Sequence, residues 1–327
     1  MGSTVTEERQ QLKRRFIRCV KYAGQLIILA LVVWGSWRTI EQALADLAKS
    51  KISFAQFDPV WLSVSGLFYL TAMLLFGLFW HRILGLMERH PRLWNSLRAY
   101  FISQPGKYVP GKFLVVLLRT TIIRNDRVET TIAVTSTFVE TLTMMAIGAV
   151  LGSMILAIHS LGDGRLVALA MCLAVAVGLP VFPPVLRRLA KLARLHRLHA
   201  DIDRSLSGLN VRQLAPGWLG VTLGWFSMGI SLWATLQAMP NGDPSLTNLV
   251  ANTPLLTACI ALSTVAGFVS GLPGGLGVRE MVVMVLVQPH FGATAAVLSA
   301  VVHRCVMIVA DLLMAGLMCV IRRKVDS

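Results

Sequence analysis

Apolar stretches recur along this chain at about the twenty residues that an α-helix needs to cross roughly 30 Å of hydrocarbon. Spans are expected at roughly 22–38, 59–80, 129–158, 166–185, 215–238 and 292–320. Leu, Ala, Val, Met and Gly dominate them, without the alternation of a membrane strand. Helices rather than a β-barrel must then satisfy the backbone in lipid. Only 14% of the 327 residues are charged, against roughly 25% in a soluble domain. The mean hydropathy is +0.66. The composition excludes a soluble fold, and the expected class is all-α integral membrane, a polytopic helical bundle.

The net charge is +15. Its basic residues cluster between apolar segments, where they fit the positive-inside rule and contact with anionic headgroups. No basic soluble module exists to bind nucleic acid. Cys19, Cys172, Cys259, Cys305 and Cys319 form no C-x-x-C pair and read as small buried hydrophobes. The first apolar run has no small-residue cleavage site after it, so it reads as a span rather than a cleaved signal.

Loop charge sets the topology. The N-terminus, 81–98, 186–213 and the C-terminus are rich in Lys and Arg, so they and both chain ends are expected in the cytoplasm. Loops 39–58, 159–165 and 239–253 are poor in them and are expected outside. This alternation is consistent only if 95–123 begins and ends inside and 254–290 begins and ends outside. Segment 95–123 is too short for two spans and is expected as a re-entrant hairpin; 254–290 is a re-entrant hairpin or two tightly joined spans. The halves 22–158 and 166–320 then repeat one order of elements with opposite topology, as in many secondary transporters. Segment 186–213 carries leucines every third residue among arginines and reads as a basic amphipathic interfacial helix. Its His196 and His199 read as solvated rather than as a metal pair, and no metal or cofactor is expected.

Both interrupted segments carry helix breakers. The first holds Pro105-Gly106-Lys107-Tyr108 and Pro110-Gly111-Lys112, with Arg119 further on. Two Pro-Gly-Lys units this close cannot form continuous helix. Freed N–H groups beside Lys and Arg suit a phosphate; an ordinary cytoplasmic loop with lysines on headgroups is the other reading. The second holds Gly271-Leu272-Pro273-Gly274-Gly275-Leu276-Gly277-Val278-Arg279-Glu280. Such a run permits a tight turn and close approach of a ligand or helix, and opposite charges within apolar sequence mark function. Glu140 sits mid-span and needs a partner, expected to be Arg119 or Lys112. Arg304 is expected to pair with Glu280 or Asp311, and Asp311 reads as part of a structural ion pair. No G-x-S-x-G, H-E-x-x-H or Walker A motif occurs.

These residues resemble the transmembrane region of the lysylphosphatidylglycerol synthase family. The resemblance rests on Lys107-Tyr108-Val109-Pro110-Gly111-Lys112 with Arg119, on Glu140, and on Leu272 through Glu280. Arg304 falls where the family often has an arginine in its last helix. Thr141 departs from members that follow the glutamate with arginine, so a Glu-Arg role does not carry over. The resemblance implies a flippase-type module of a bacterial cytoplasmic membrane, associated in stand-alone members with envelope lipid synthesis. The chain ends at Ser327 just after its last span, so aminoacyl transfer is not implied.

Three readings follow. In the first, the chain moves an anionic phospholipid or polyprenyl phosphate between leaflets. Lys107, Tyr108, Lys112, Arg119, Arg279 and Arg304 would bind the phosphate, and Glu140 and Glu280 would neutralise the cations and couple to protons. In the second, it is a membrane-embedded transferase on a lipid phosphate with Glu140 or Glu280 as base. In the third, it is a non-catalytic scaffold for envelope-synthesis enzymes.

Overall fold

The computed structural model describes residues 56–87, 91–109, 113–124, 128–159, 168, 171–172, 175, 211–240 and 248–325. All regular structure among the described residues is helical. The elements are α1 (Pro59–Leu86), α2 (Leu93–Ser103), a 3-10 turn (Gln104–Tyr108), α3 (Phe113–Ile123), α4 (Thr130–His159), α5 (Val211–Gln237), α6 (Leu249–Val269), a second 3-10 turn (Pro273–Gly275) and α7 (Val278–Val325). α1, α4, α5, α6 and α7 are each long and apolar enough to cross a bilayer. The expected spans at 22–38 and 166–185 lie largely or wholly outside the described residues, as do the loops around them. So does the basic helix, except that 211–213 form the first turn of α5 instead.

Local chemistry sets the boundaries. Asp58 caps α1 by accepting a hydrogen bond from Val60 N at 2.8 Å, with Pro59 in the first turn, where a missing N–H costs nothing. Asn248 caps α6 by accepting from Ala251 N at 3.1 Å. α7 absorbs both the end of the second interrupted segment and the last expected span. Gly292 divides it at φ 82°, a left-handed conformation that favours glycine.

α2 and α3 have 11 residues each, so each is roughly 16 Å long, about half a bilayer. They pack on one another as a hairpin, and its apex is the first Pro-Gly-Lys unit. After Tyr108 the backbone goes extended, with Val109 at ψ 141°. Pro110, Gly111 and Lys112 lie outside the described residues. α6 alone, at 21 residues, is long enough to span.

Lipid supplies no hydrophobic force between helices, so close packing must hold them. α1 and α5 lie side by side, and Asp58 N donates to Ala238 O at 2.9 Å where they end together. A Cβ at Gly224 of α5 would lie 2.4 Å from a ring carbon of Phe76 on α1. One at Gly229 would lie 2.1 Å from Thr257 Oγ1 on α6. These glycines bring the backbones closer than alanine permits, which gains dispersion contacts. Trp80 and Trp225 are fully buried in the resulting core.

Candidate functional site

The two backbone breaks meet. A Cβ at Gly274 would lie 3.3 Å from the Tyr108 ring and 3.7 Å from Lys107 O. Gly274 and Gly275 have φ of 57° and 69°, so the second break takes a path that residues with a side chain rarely follow. Three charged clusters surround this junction.

In the first, Lys107 Nζ lies 2.7 Å from Asp311 Oδ2 and donates to Tyr69 Oη at 2.8 Å. Tyr69 and Tyr108 each donate to Asp311 at 2.8 Å. The Asp311 side chain is 1% exposed and that of Lys107 25%, so a buried carboxylate anchors a lysine that is partly exposed along its length. Its charge also lies 5.4 and 5.2 Å from the centres of the Tyr69 and Tyr108 rings.

In the second, Arg119 Nη1 donates to Glu140 Oε2 at 2.8 Å, and its Nε donates to Ser103 Oγ at 3.2 Å. Its guanidinium lies 4.2 Å from the Tyr100 ring centre and 5.0 Å from that of Trp80. Tyr100 Oη and Thr141 Oγ1 also donate to Glu140. Both charges are buried, as a carboxylate and a guanidinium in lipid must be when paired.

In the third, Arg304 donates to Glu280 Oε1 and, at 3.1 Å, to the carbonyl of Gly274. One side chain thus fixes both the second break and the start of α7, where Glu280 favours the positive helix end. Among the described residues, Glu280 Oε2 and Arg304 Nε are buried without a partner.

Arg279 differs from these. Its Nη2 donates to Thr264 Oγ1 at 3.0 Å and approaches Met307 Sδ at 3.8 Å. No carboxylate among the described residues pairs with it. Glycines hold its stem: a Cβ at Gly267 or Gly275 would lie 2.4 or 2.8 Å from Arg279 Cγ. Among the described residues the cluster therefore holds four cations, Lys107, Arg119, Arg279 and Arg304, against three carboxylates, Glu140, Glu280 and Asp311. Arg279 is the excess charge.

A cavity of about 500 Å³ lies beneath the breaks, and Lys107, Arg119, Glu140 and Arg279 all line it. Its other wall is apolar and adaptable, with Met73, Met144, Met145, Met228 and Met307. Two of its lining residues, Phe138 of α4 at 49% exposed and Gly271, are also exposed at the surface. The arrangement can hold an anion at one side and flexible apolar chains at the other.

Of the residues named from sequence, Lys107, Tyr108, Arg119, Glu140, Arg279, Glu280 and Arg304 gather at this junction. Arg119 and Glu280 are the partners found for Glu140 and Arg304. Asp311 is in an ion pair, as expected, but with Lys107, and it also binds two tyrosines at the junction itself. Its spacing was the available signal: it lies seven residues, two helical turns, beyond Arg304 on one face of α7. Tyr69, Tyr100 and Thr264 had no comparable signal. Among the described residues no cluster of His, Cys, Asp and Glu could hold a metal ion.

The apolar helices and their buried charged junction define a multi-pass helical membrane protein with an internal polar site. Residues 22–315 match the family model described as the lysylphosphatidylglycerol synthase TM region, and the chain belongs to that family. No curated protein matches it. Membership ties the chain to lipid handling or synthesis.

Proposed function

We propose that this protein moves an anionic lipid between the leaflets of a bacterial cytoplasmic membrane. The observation that carries the reading is Arg279, a guanidinium lining a large cavity with no carboxylate paired to it among the described residues. An uncompensated cation in an apolar surround is costly, and a phosphate would relieve it with charge-assisted hydrogen bonds. Lys107 and Lys112 would share the phosphate when it enters, with Arg119, Arg304 and the Tyr108 hydroxyl around it. The methionine wall and the exposed Phe138 at its edge would let acyl or prenyl chains stay in lipid. The two breaks, which an inverted repeat would relate, would part in turn toward each leaflet.

Arg119, Tyr100 and Thr141 engage Glu140, and Arg304 engages Glu280. A free general base needs an oxygen available to the substrate; both oxygens of Glu140 are engaged, which disfavours Glu140 as the base of the transferase reading, whereas Glu280 Oε2 has no partner among the described residues.

The test is the purified protein in vesicles carrying fluorescent phosphatidylglycerol, phosphatidylcholine or polyprenyl phosphate, with leaflet exchange followed by quenching from outside. Exchange of the anionic probes above that of phosphatidylcholine is expected. Equal rates with and without folded protein would refute the reading, and formation of a new lipid product would favour the transferase.

A further inference from the structure

A row of buried hydroxyls leads from near the end of α5 to His303, which shares a small cavity with Arg304 and Glu280. Thr235 Oγ1 lies 2.9 Å from Ser65 Oγ, Ser65 Oγ lies 3.1 Å from Ser231 Oγ, and Ser231 Oγ lies 3.1 Å from His303 Nε2. All four side chains are buried, His303 at 2% exposed and the others at 0%. Thr235 is two residues from the end of α5 and Ser65 six residues from the start of α1, the ends tied together by Asp58 and Ala238. Loop charge assigns these ends to the outside. His303 is eleven residues past Gly292, roughly 16 Å along the helix and so near the middle of a bilayer. There His303, Ser299, Arg304 and Glu280 line a small cavity of about 10 Å³, roughly the room for one water. The unpartnered Arg304 Nε and Glu280 Oε2 belong to that group, and Arg304 is 4% exposed.

Interhelical hydroxyls alone would account for α1 joining α5. They do not account for a histidine at their inner end, nor for the unpartnered carboxylate oxygen beyond it. Each hydroxyl also has a backbone carbonyl within reach. Ser65 Oγ donates to Ser231 O at 2.8 Å, Ser231 Oγ to Ser65 O at 2.8 Å, and Thr235 Oγ1 to Ser231 O at 3.1 Å. Each can therefore turn between two acceptors, which passing a proton requires.

We propose that this row conducts a proton from the outer face to Glu280 and so couples lipid movement to a proton gradient; the inference rests on the transport reading above. Each step breaks one O–H or N–H bond and forms the next. His303 accepts at Nε2 and releases at Nδ1, and a water in the small cavity hands the proton to Glu280 Oε2. The titratable and charged groups around this end are Arg279, Arg304 and Cys305, with Asp311 further along α7 held by Lys107; the facing positions of α1, α5 and α6 are Ser65, Ser231, Thr235 and Ser263. Neutralising Glu280 frees Arg304 and raises the excess positive charge at the junction from one to two, which favours entry of a phosphate.

The experiment uses the full chain in phosphatidylethanolamine–phosphatidylglycerol vesicles with fluorescent phosphatidylglycerol, at equal pH and with an acid-outside step. The step should accelerate exchange several-fold. His303→Gln and Ser231→Ala, each eluting as a folded protein, should keep the equal-pH rate and lose the acceleration. An exchange rate indifferent to the step in the unaltered protein, or an undiminished response in both variants, would overturn the proton path and leave the transport reading standing. No exchange under either condition removes the transport reading, and the proton path with it.

Discussion

Lys107 Nζ lies 2.7 Å from Asp311 Oδ2, so the apex of the first helix break is pinned to the last helix of the bundle. Two tyrosine hydroxyls complete the carboxylate, and Lys107 and Tyr69 of this group line the cavity. The contact is an anchor for the break and a cation offered to a ligand at once.

Asp311→Asn strands a largely buried ammonium and weakens two phenol hydrogen bonds. Breaking a buried pair costs about 3–5 kcal/mol, so the melting temperature in detergent should fall by several degrees. Lys107→Met with Asp311→Leu removes both charges and should be less damaging than Asp311→Asn alone. A double variant as unstable as the sum of the singles would count against the pair.

Arg119→Gln should lower stability by a similar margin, because it leaves Glu140 buried and charged at 1% exposure. Loss of transport in this variant therefore reports on folding as well as on phosphate. Adding Glu140→Gln should restore part of the melting temperature, and no recovery in the double variant would count against the pairing.

Gly274→Ala places a methyl at φ 57° and 2.8 Å from Arg304 Nη2, whereas Gly271→Ala meets only the backbone penalty at φ 74° with open space around it. Left-handed backbone costs roughly 1–2 kcal/mol for an alanine. Gly271→Ala should lose about that much and Gly274→Ala clearly more, read from thermal unfolding. Equal losses would mean that Arg304 does not brace the second break.

Much of the membrane architecture was legible because lipid imposes it. Helix length follows from bilayer thickness, and Pro-Gly units mark where a helix must end, which located both breaks. Partners were harder. Charge alone left Arg304 with two carboxylates to choose from; the choice depends on Gly274, whose carbonyl turns toward the guanidinium because the backbone there is left-handed. The prominence of Arg279 was also hidden. Sequence lists cations and carboxylates but does not show which cation lacks a partner, and that emerges only when the pairings are known. Tyr69 and Tyr100 look like any interior aromatic until their hydroxyls are seen on Asp311 and Glu140.

The most direct test of lipid movement through this cavity is the leaflet exchange rate of fluorescent phosphatidylglycerol in vesicles holding Arg279→Gln. No carboxylate is stranded by this change, so folding, judged by elution and melting temperature, should be close to that of the unaltered protein. Losing one buried charge-assisted contact to a phosphate costs about 1.5–3 kcal/mol, so exchange should slow about tenfold or more. A folded Arg279→Gln protein that exchanges phosphatidylglycerol at the original rate would show that Arg279 is not where the phosphate binds.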